Sequence, residues 1–129
     1  MERRVINPWT WQDNFGFVQA NEITGAQKVL YCSGQTSVDE NGTPMHAGDM
    51  AAQVNLALDN LETVLKGAGM DLTNLVKLDI YTTDVEALFG AFPAFAQRTT
   101  IAKFASTLLG VQRLAFPELM VELEATAVA

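Results

Sequence analysis

Cysteine and histidine each occur once in the 129 residues, as Cys32 and His46, and that scarcity removes several chemistries. A lone cysteine allows no internal disulfide and no cysteine-based metal cluster. A lone histidine excludes multi-histidine zinc sites and argues against a Ser/His/Asp triad. No metal site and no cofactor are therefore expected. Charge is also thin, at 18% of residues, where soluble domains average about 25%. Its balance is acidic, with 8 Lys and Arg against 15 Asp and Glu, a net −7. That opposes nucleic-acid binding, which lysine and arginine drive by neutralising phosphates. Arg3-Arg4 is the one basic pair, and it reads as a solvated chain end. No apolar run approaches the ~18 residues of a membrane span. The start, Met1 to Pro8, lacks the apolar stretch of a secretory signal. No membrane partner is expected, and a reducing, cytoplasmic setting is the default.

Apolar residues, by contrast, make up 49% of the chain. A folded chain of this size exposes roughly 6,700 Å² and buries about two-thirds of its unfolded surface. One sizeable core fits, so residues 1–129 read as one domain. The few charges are too sparse to cover a monomer, which points to a buried subunit contact.

The period of the apolar residues then separates strands from helices. Phe17–Thr24 and Lys28–Ser33 have strand composition, and the short gap at Gly25 predicts that they pair as a hairpin. Asn41-Gly42 lies in a turn cluster. From Asp49 to Lys66, Met50, Val54, Leu58, Leu61 and Leu65 recur every three or four residues, as on one helix face. Asp49 can cap its start, and Gly67 or Gly69 its end. Leu75–Thr83 alternates, with Val76, Leu78 and Ile80 on one face and Lys77, Asp79 and Tyr81 on the other. Pro93 would cost about 3 kcal/mol inside a helix. A short turn over Val85–Ala91 and a helix starting at Pro93 are predicted instead. Ser106–Val111 and Glu118–Val128 close the chain as strands. The order β-β-α-β-α-β-β predicts an α+β domain, with helices on one face of a mostly antiparallel sheet.

Four blocks in this order resemble the Rid family (YjgF/L-PSP, reactive-intermediate deaminases). They are Leu30-Tyr31-Cys32-Ser33-Gly34-Gln35-Thr36, Gly48-Asp49-Met50 through Leu61 to Gly69, Leu75-Val76-Lys77 through Thr83-Asp84, and Leu119-Met120-Val121-Glu122-Leu123-Glu124-Ala125. The resemblance implies a chorismate-mutase-like fold assembled as a homotrimer, with sites in the clefts between subunits. It also implies hydrolysis of enamines and imines, such as 2-aminoacrylate, to a carbonyl compound and ammonia. In the family an arginine clamps the substrate carboxylate with its planar fork, and a glutamate positions water.

This sequence departs from that pattern where the substrate is held. Ser106, in Phe104-Ala105-Ser106-Thr107, stands at the arginine position. Phe17 replaces a tyrosine and Phe92 an asparagine. Arg113 is a poor substitute for the clamp, since seven residues along a strand reverse the face. The expected catalytic residue is Glu122, as general base. The expected substrate-binding set is Phe17, Ser33, Gly34, Phe92, Ser106 and Thr107. Ser106 and Thr107 have no adjacent histidine to activate a hydroxyl, so their part would be hydrogen bonding. Cys32 reads as a buried structural thiol and His46 as exposed loop. Phe89, Phe92 and Phe95, at three-residue spacing, read as core or interface packing. Trp9 and Trp11 suit either the sheet edge or a cleft.

Three functions compete. The first is a Rid-type trimer that binds a small metabolite between subunits and hydrolyses an imine or enamine, with 2-aminoacrylate disfavoured by Ser106. The second is a catalytically silent sensor or carrier of a small ligand. Last comes the endoribonuclease activity sometimes attributed to the family, which the acidic charge and single histidine oppose.

Overall fold

The computed structural model describes residues 1–129 as seven strands and three helices, an α+β arrangement. β1 (Glu2–Ile6) and β2 (Ala20–Thr24) form an antiparallel hairpin, with Arg4 opposite Glu22. The main sheet runs β3 (Val29–Tyr31), β7 (Val121–Val128), β5 (Leu75–Thr82), β6 (Leu108–Gly110), with β4 (Gln35–Thr36) also on β7. All these pairs are antiparallel except β5 with β6. A bridge from Val18 to Ala105, which in turn pairs with Lys77, joins the hairpin to the sheet beyond β6.

The expected β2–β3 hairpin does not form. β2 turns back to β1, and β3 crosses to β7, pairing Leu30 with Ala127. The basic pair of the chain start is not free either. Arg4 makes a two-pronged contact with the Glu22 carboxylate at 3.0 and 2.9 Å, and Arg3 donates to the carbonyls of Lys103 and Thr73. A second difference lies at the start of β5. The register slips between Leu75 and Lys77, so Val76 is a bulge residue. The inward face therefore carries Leu75, Leu78, Ile80 and Thr82, all buried, and Val76 leaves it.

α1 (Met50–Gly67) lies on this face. Asp49 caps it, its carboxylate accepting from the Ala52 N–H at 3.0 Å, and Gly69 leaves it at a φ of 70°. Leu58, Leu61 and Leu65 are fully buried, as are Val121 and Leu123 of β7. Each such leucine contributes about 1.5–3 kcal/mol by leaving water. Gln53, also fully buried, ties α1 to the start of β7. Its amide donates to the Glu118 carbonyl at 2.9 Å and accepts from the Met120 N–H at 2.8 Å. The predicted break falls where proline allows it: α2 (Val85–Gly90) ends, and Pro93 enters the first turn of α3 (Phe92–Thr99). None of these helices is long and apolar enough to cross a membrane.

The other face of the sheet has no helix over it. There Lys77, Asp79 and Tyr81 of β5 and Glu122 and Glu124 of β7 project, beside Tyr31 (81% exposed) and Leu109 (48% exposed).

Candidate functional site

Two sets of side chains on opposite faces of the sheet carry the chemistry. The first is an aromatic cleft of about 320 Å³ beneath α2 and α3. One wall comes from the tight helical turn Trp11–Phe15, which Gly16 ends at a φ of 74° before the chain enters β2. Buried Gln12 pins that turn, donating to the Trp9 carbonyl at 2.8 Å and accepting from Gln19 at 3.2 Å. Trp11 thereby meets Phe15 and Phe17 edge-on, with ring centres at 6.3 and 5.8 Å. The facing wall is a run of rings from α2 and α3. Phe89 leads to Phe92, Phe95 and Phe104, with successive centres 6.4, 5.4 and 6.3 Å apart. Such edge-on contacts hold ring orientation as well as burying area. Ile80 and Leu108 form the sheet side, and Ser106 supplies the one hydroxyl of the lining.

The second set lies on the helix-free face. Gly34, Tyr81, Arg113, Glu122 and Glu124, with Val111 and Leu114, surround a recess of about 270 Å³. The Tyr81 hydroxyl donates to Glu124 at 2.8 Å, which holds its proton and raises its pKa. Burial, and then the negative charge of Glu124, push the Glu122 carboxyl above the ordinary glutamate range. Gly34 is what gives that carboxylate room, since a Cβ there would lie 2.6 Å from Glu122 Cδ. Thr107 sits on this face too. Its N–H donates to Asp79 at 3.0 Å, and its hydroxyl accepts from Lys77 at 3.2 Å.

The expected site residues thus divide. Phe17, Phe92 and Ser106 come together in the aromatic cleft. Gly34 and Glu122 meet on the far side of the sheet, with Thr107 on the same face. Ser33 lies between β3 and β4, its carbonyl accepting from Gln35 at 3.2 Å. Strand parity explains the division, because Ser106 and Thr107 are neighbours and neighbours point to opposite faces. Arg113 does face away from Ser106, and it joins the Glu122 recess. Trp11 is a cleft residue, whereas Trp9 is 59% exposed. Phe95 packs in the core, while Phe89 stays half exposed at the cleft mouth. Cys32 is buried, its thiol pKa raised by that burial, and His46 is exposed at a positive φ of 64°. Sequence reasoning did not single out Phe15 or Phe104. Their only signal was aromatic spacing around Phe17 and before Ser106.

Helices on one face of a sheet, a ringed cleft on that face and a paired-carboxylate recess on the other define a small α+β class with a candidate site on each face. The family described as Endoribonuclease L-PSP, the YjgF/Rid family, matches residues 15–129, and the chain belongs to it. YyfB of Yersinia pestis, a Rid-family protein of unknown function, is 35% identical over 100% of both chains, with a TM-score of 0.86. Rv2704 of Mycobacterium tuberculosis, from the YjgF/YER057c/UK114 family, is 27% identical over 99% of this chain and 100% of its own, with a TM-score of 0.66. Among curated relatives, the human 2-iminobutanoate/2-iminopropanoate deaminase is 34% identical over 58 residues, 45% of this chain and 42% of that protein. The chain spans about half the length, 51%, 46% and 42%, of the first curated relatives it matches.

Proposed function

We propose that this chain forms a homotrimer that binds a small metabolite between subunits and hydrolyses it as an imine or enamine. The observation that carries the reading is the division of the site. The aromatic cleft with Ser106 has no acid or base, and the Glu122 recess has the carboxylates but only Val111 and Leu114 as aliphatic wall. Each half supplies what the other lacks, and one sheet cannot present both to one ligand. A neighbouring copy can. The exposed Tyr31 and Leu109 on the helix-free face support such a contact.

In the proposed reaction, Glu122 of one copy takes a proton from water as the water oxygen bonds to the iminium carbon and the C=N pair moves to nitrogen. Glu122 then returns that proton to the nitrogen. As the carbinolamine collapses, Glu122 takes the hydroxyl proton, the O–H pair becomes the C=O bond, and the C–N pair leaves with ammonia. Ammonia picks up the proton from Glu122 as ammonium. A carboxyl pushed above its ordinary range by burial and by Glu124 is a stronger proton acceptor for this exchange than a free glutamate. The names of the deaminase relatives support the same class of chemistry. Ser106 favours a second reading, a ligand carrier without turnover, because it offers a carboxylate substrate no cation.

Sedimentation and a coupled assay test the reading. Imines made in place by a flavin amine oxidase from a carboxylate-free amine are followed by carbonyl release, with serine dehydratase supplying the disfavoured 2-aminoacrylate for comparison. Trimers with Glu122-dependent acceleration are expected. A monomer, or release that Glu122→Gln leaves unchanged, overturns it; tight ligand binding without turnover selects the carrier.

A further inference from the structure

The proposed function leaves the ligand's class open, and the cleft is specific about it. Seven of its ten lining residues are aromatic, none is charged, and its hydroxyl is that of Ser106. An aromatic ring face is negative and its edge positive, so a box of rings attracts flat rings and cations alike. A carboxylate here would lose its water with one hydroxyl in return, and buried charges without partners are costly. The charge in the adjoining cavity points the same way. A second cavity, also about 320 Å³, shares Phe15, Phe92 and Phe95 with the cleft and carries the Asp13 carboxylate, with Asn14 and Thr99 beside it. No lysine or arginine lines either cavity. The recess that a second copy would bring sets one arginine, Arg113, against two carboxylates, Glu122 and Glu124, on a chain of net charge −7. The space is near the lower end of ligand pockets, about 300–1,000 Å³, which suits one or two fused rings.

We infer that the cleft takes a compound with a flat aromatic ring and a protonated nitrogen, and without a carboxylate. The ring lies between Trp11 and the Phe89–Phe92 wall, and the nitrogen is directed to Asp13. The inference rests on the reading of this cleft as the ligand site. It does not need turnover.

Calorimetry on the full chain with three simple probes decides it. They are 2-phenylethylamine, 3-phenylpropanoate (the same ring with opposite charge) and butylamine (the charge without a ring). A ring and a cation in one molecule engage the box together, so 2-phenylethylamine should bind about tenfold tighter than either comparison. Asp13→Asn, an exposed change that leaves the core intact, should weaken 2-phenylethylamine several-fold and leave benzyl alcohol unmoved. Trp11→Ala should weaken both. Equal or tighter binding of 3-phenylpropanoate, equal binding of butylamine, or no binding of 2-phenylethylamine at millimolar concentration overturns the inference. Amine binding without imine turnover keeps it and removes the hydrolase reading. Turnover of carboxylate-bearing imines without amine binding does the reverse.

Discussion

Replacing Ser106 by arginine should convert the cleft from one that rejects small anions to one that holds them. Ser106 stands on the sheet side of the aromatic cleft, whose other lining residues are all hydrophobic. A guanidinium there could meet a carboxylate with two parallel hydrogen bonds. Bonds to charged groups are worth about 1.5–3 kcal/mol each. Against this stands about 2 kcal/mol of arginine side-chain entropy, part of it lost on binding, and the desolvation of the fork among phenylalanines. A net gain of roughly 1.5–3 kcal/mol remains, or about ten- to 150-fold in Kd. The free variant should melt below the wild type, because its cation faces rings with no counter-ion. Added 2-oxobutanoate should then recover part of the loss by mass action. Calorimetry with 2-oxobutanoate, and melting curves with and without it, read both effects. Wild-type protein that binds 2-oxobutanoate with micromolar affinity, or as tightly as Ser106→Arg, would refute the reasoning that the anion clamp is missing.

Three further predictions concern stability and the Glu122 recess. Gln53→Ala leaves the half-buried Met120 N–H without its 2.8 Å partner and removes the tie to the Glu118 carbonyl. At about 1–3 kcal/mol per unsatisfied buried group, urea unfolding should show a loss of roughly 2–5 kcal/mol, with the far-UV spectrum preserved. The raised pKa of Glu122 means the folded state holds this proton more tightly than the unfolded state does. Its contribution is therefore complete at low pH and is lost as pH rises through the folded value. Wild type should lose stability relative to Glu122→Gln over that window, and parallel pH profiles would contradict it. Gly34→Ala puts a Cβ against the Glu122 carboxylate. The long side chain can turn away at a rotamer cost of about 0.5–1.5 kcal/mol, so melting should change little. Imine hydrolysis should fall by about 100-fold, as an ångström of misplacement does elsewhere.

How much of this was legible in the sequence depends on the range of the interaction. α1 was fully legible, since its cap, its apolar face and its closing glycines lie within twenty residues of one another. So were the α2–α3 break, which one proline dictates, and the alternation of β7. The partner of β3 was not legible, because Leu30 finds Ala127 at the far end of the chain and nothing local encodes that choice. β1 was hidden in a segment, Glu2–Ile6, that resembles a charged tail until Arg4 meets Glu22 across the hairpin. The slip at Val76 is likewise set by packing against β7, not by composition. For the candidate site, the resemblance named residues without saying that one chain displays them on two faces. Strand parity between Ser106 and Thr107 already implied that division.

Complementation between two inactive variants tests the shared site most directly. Ser106→Phe fills the aromatic half, and Glu122→Gln silences the recess half; each alone should form trimers with little imine hydrolysis. In equally mixed trimers, an interface between two different variants can join two intact halves, so about a quarter of the wild-type activity should return. Activity that stays at the level of the separate variants, with mixed trimers demonstrated, would place both halves of the site within one copy and contradict the account.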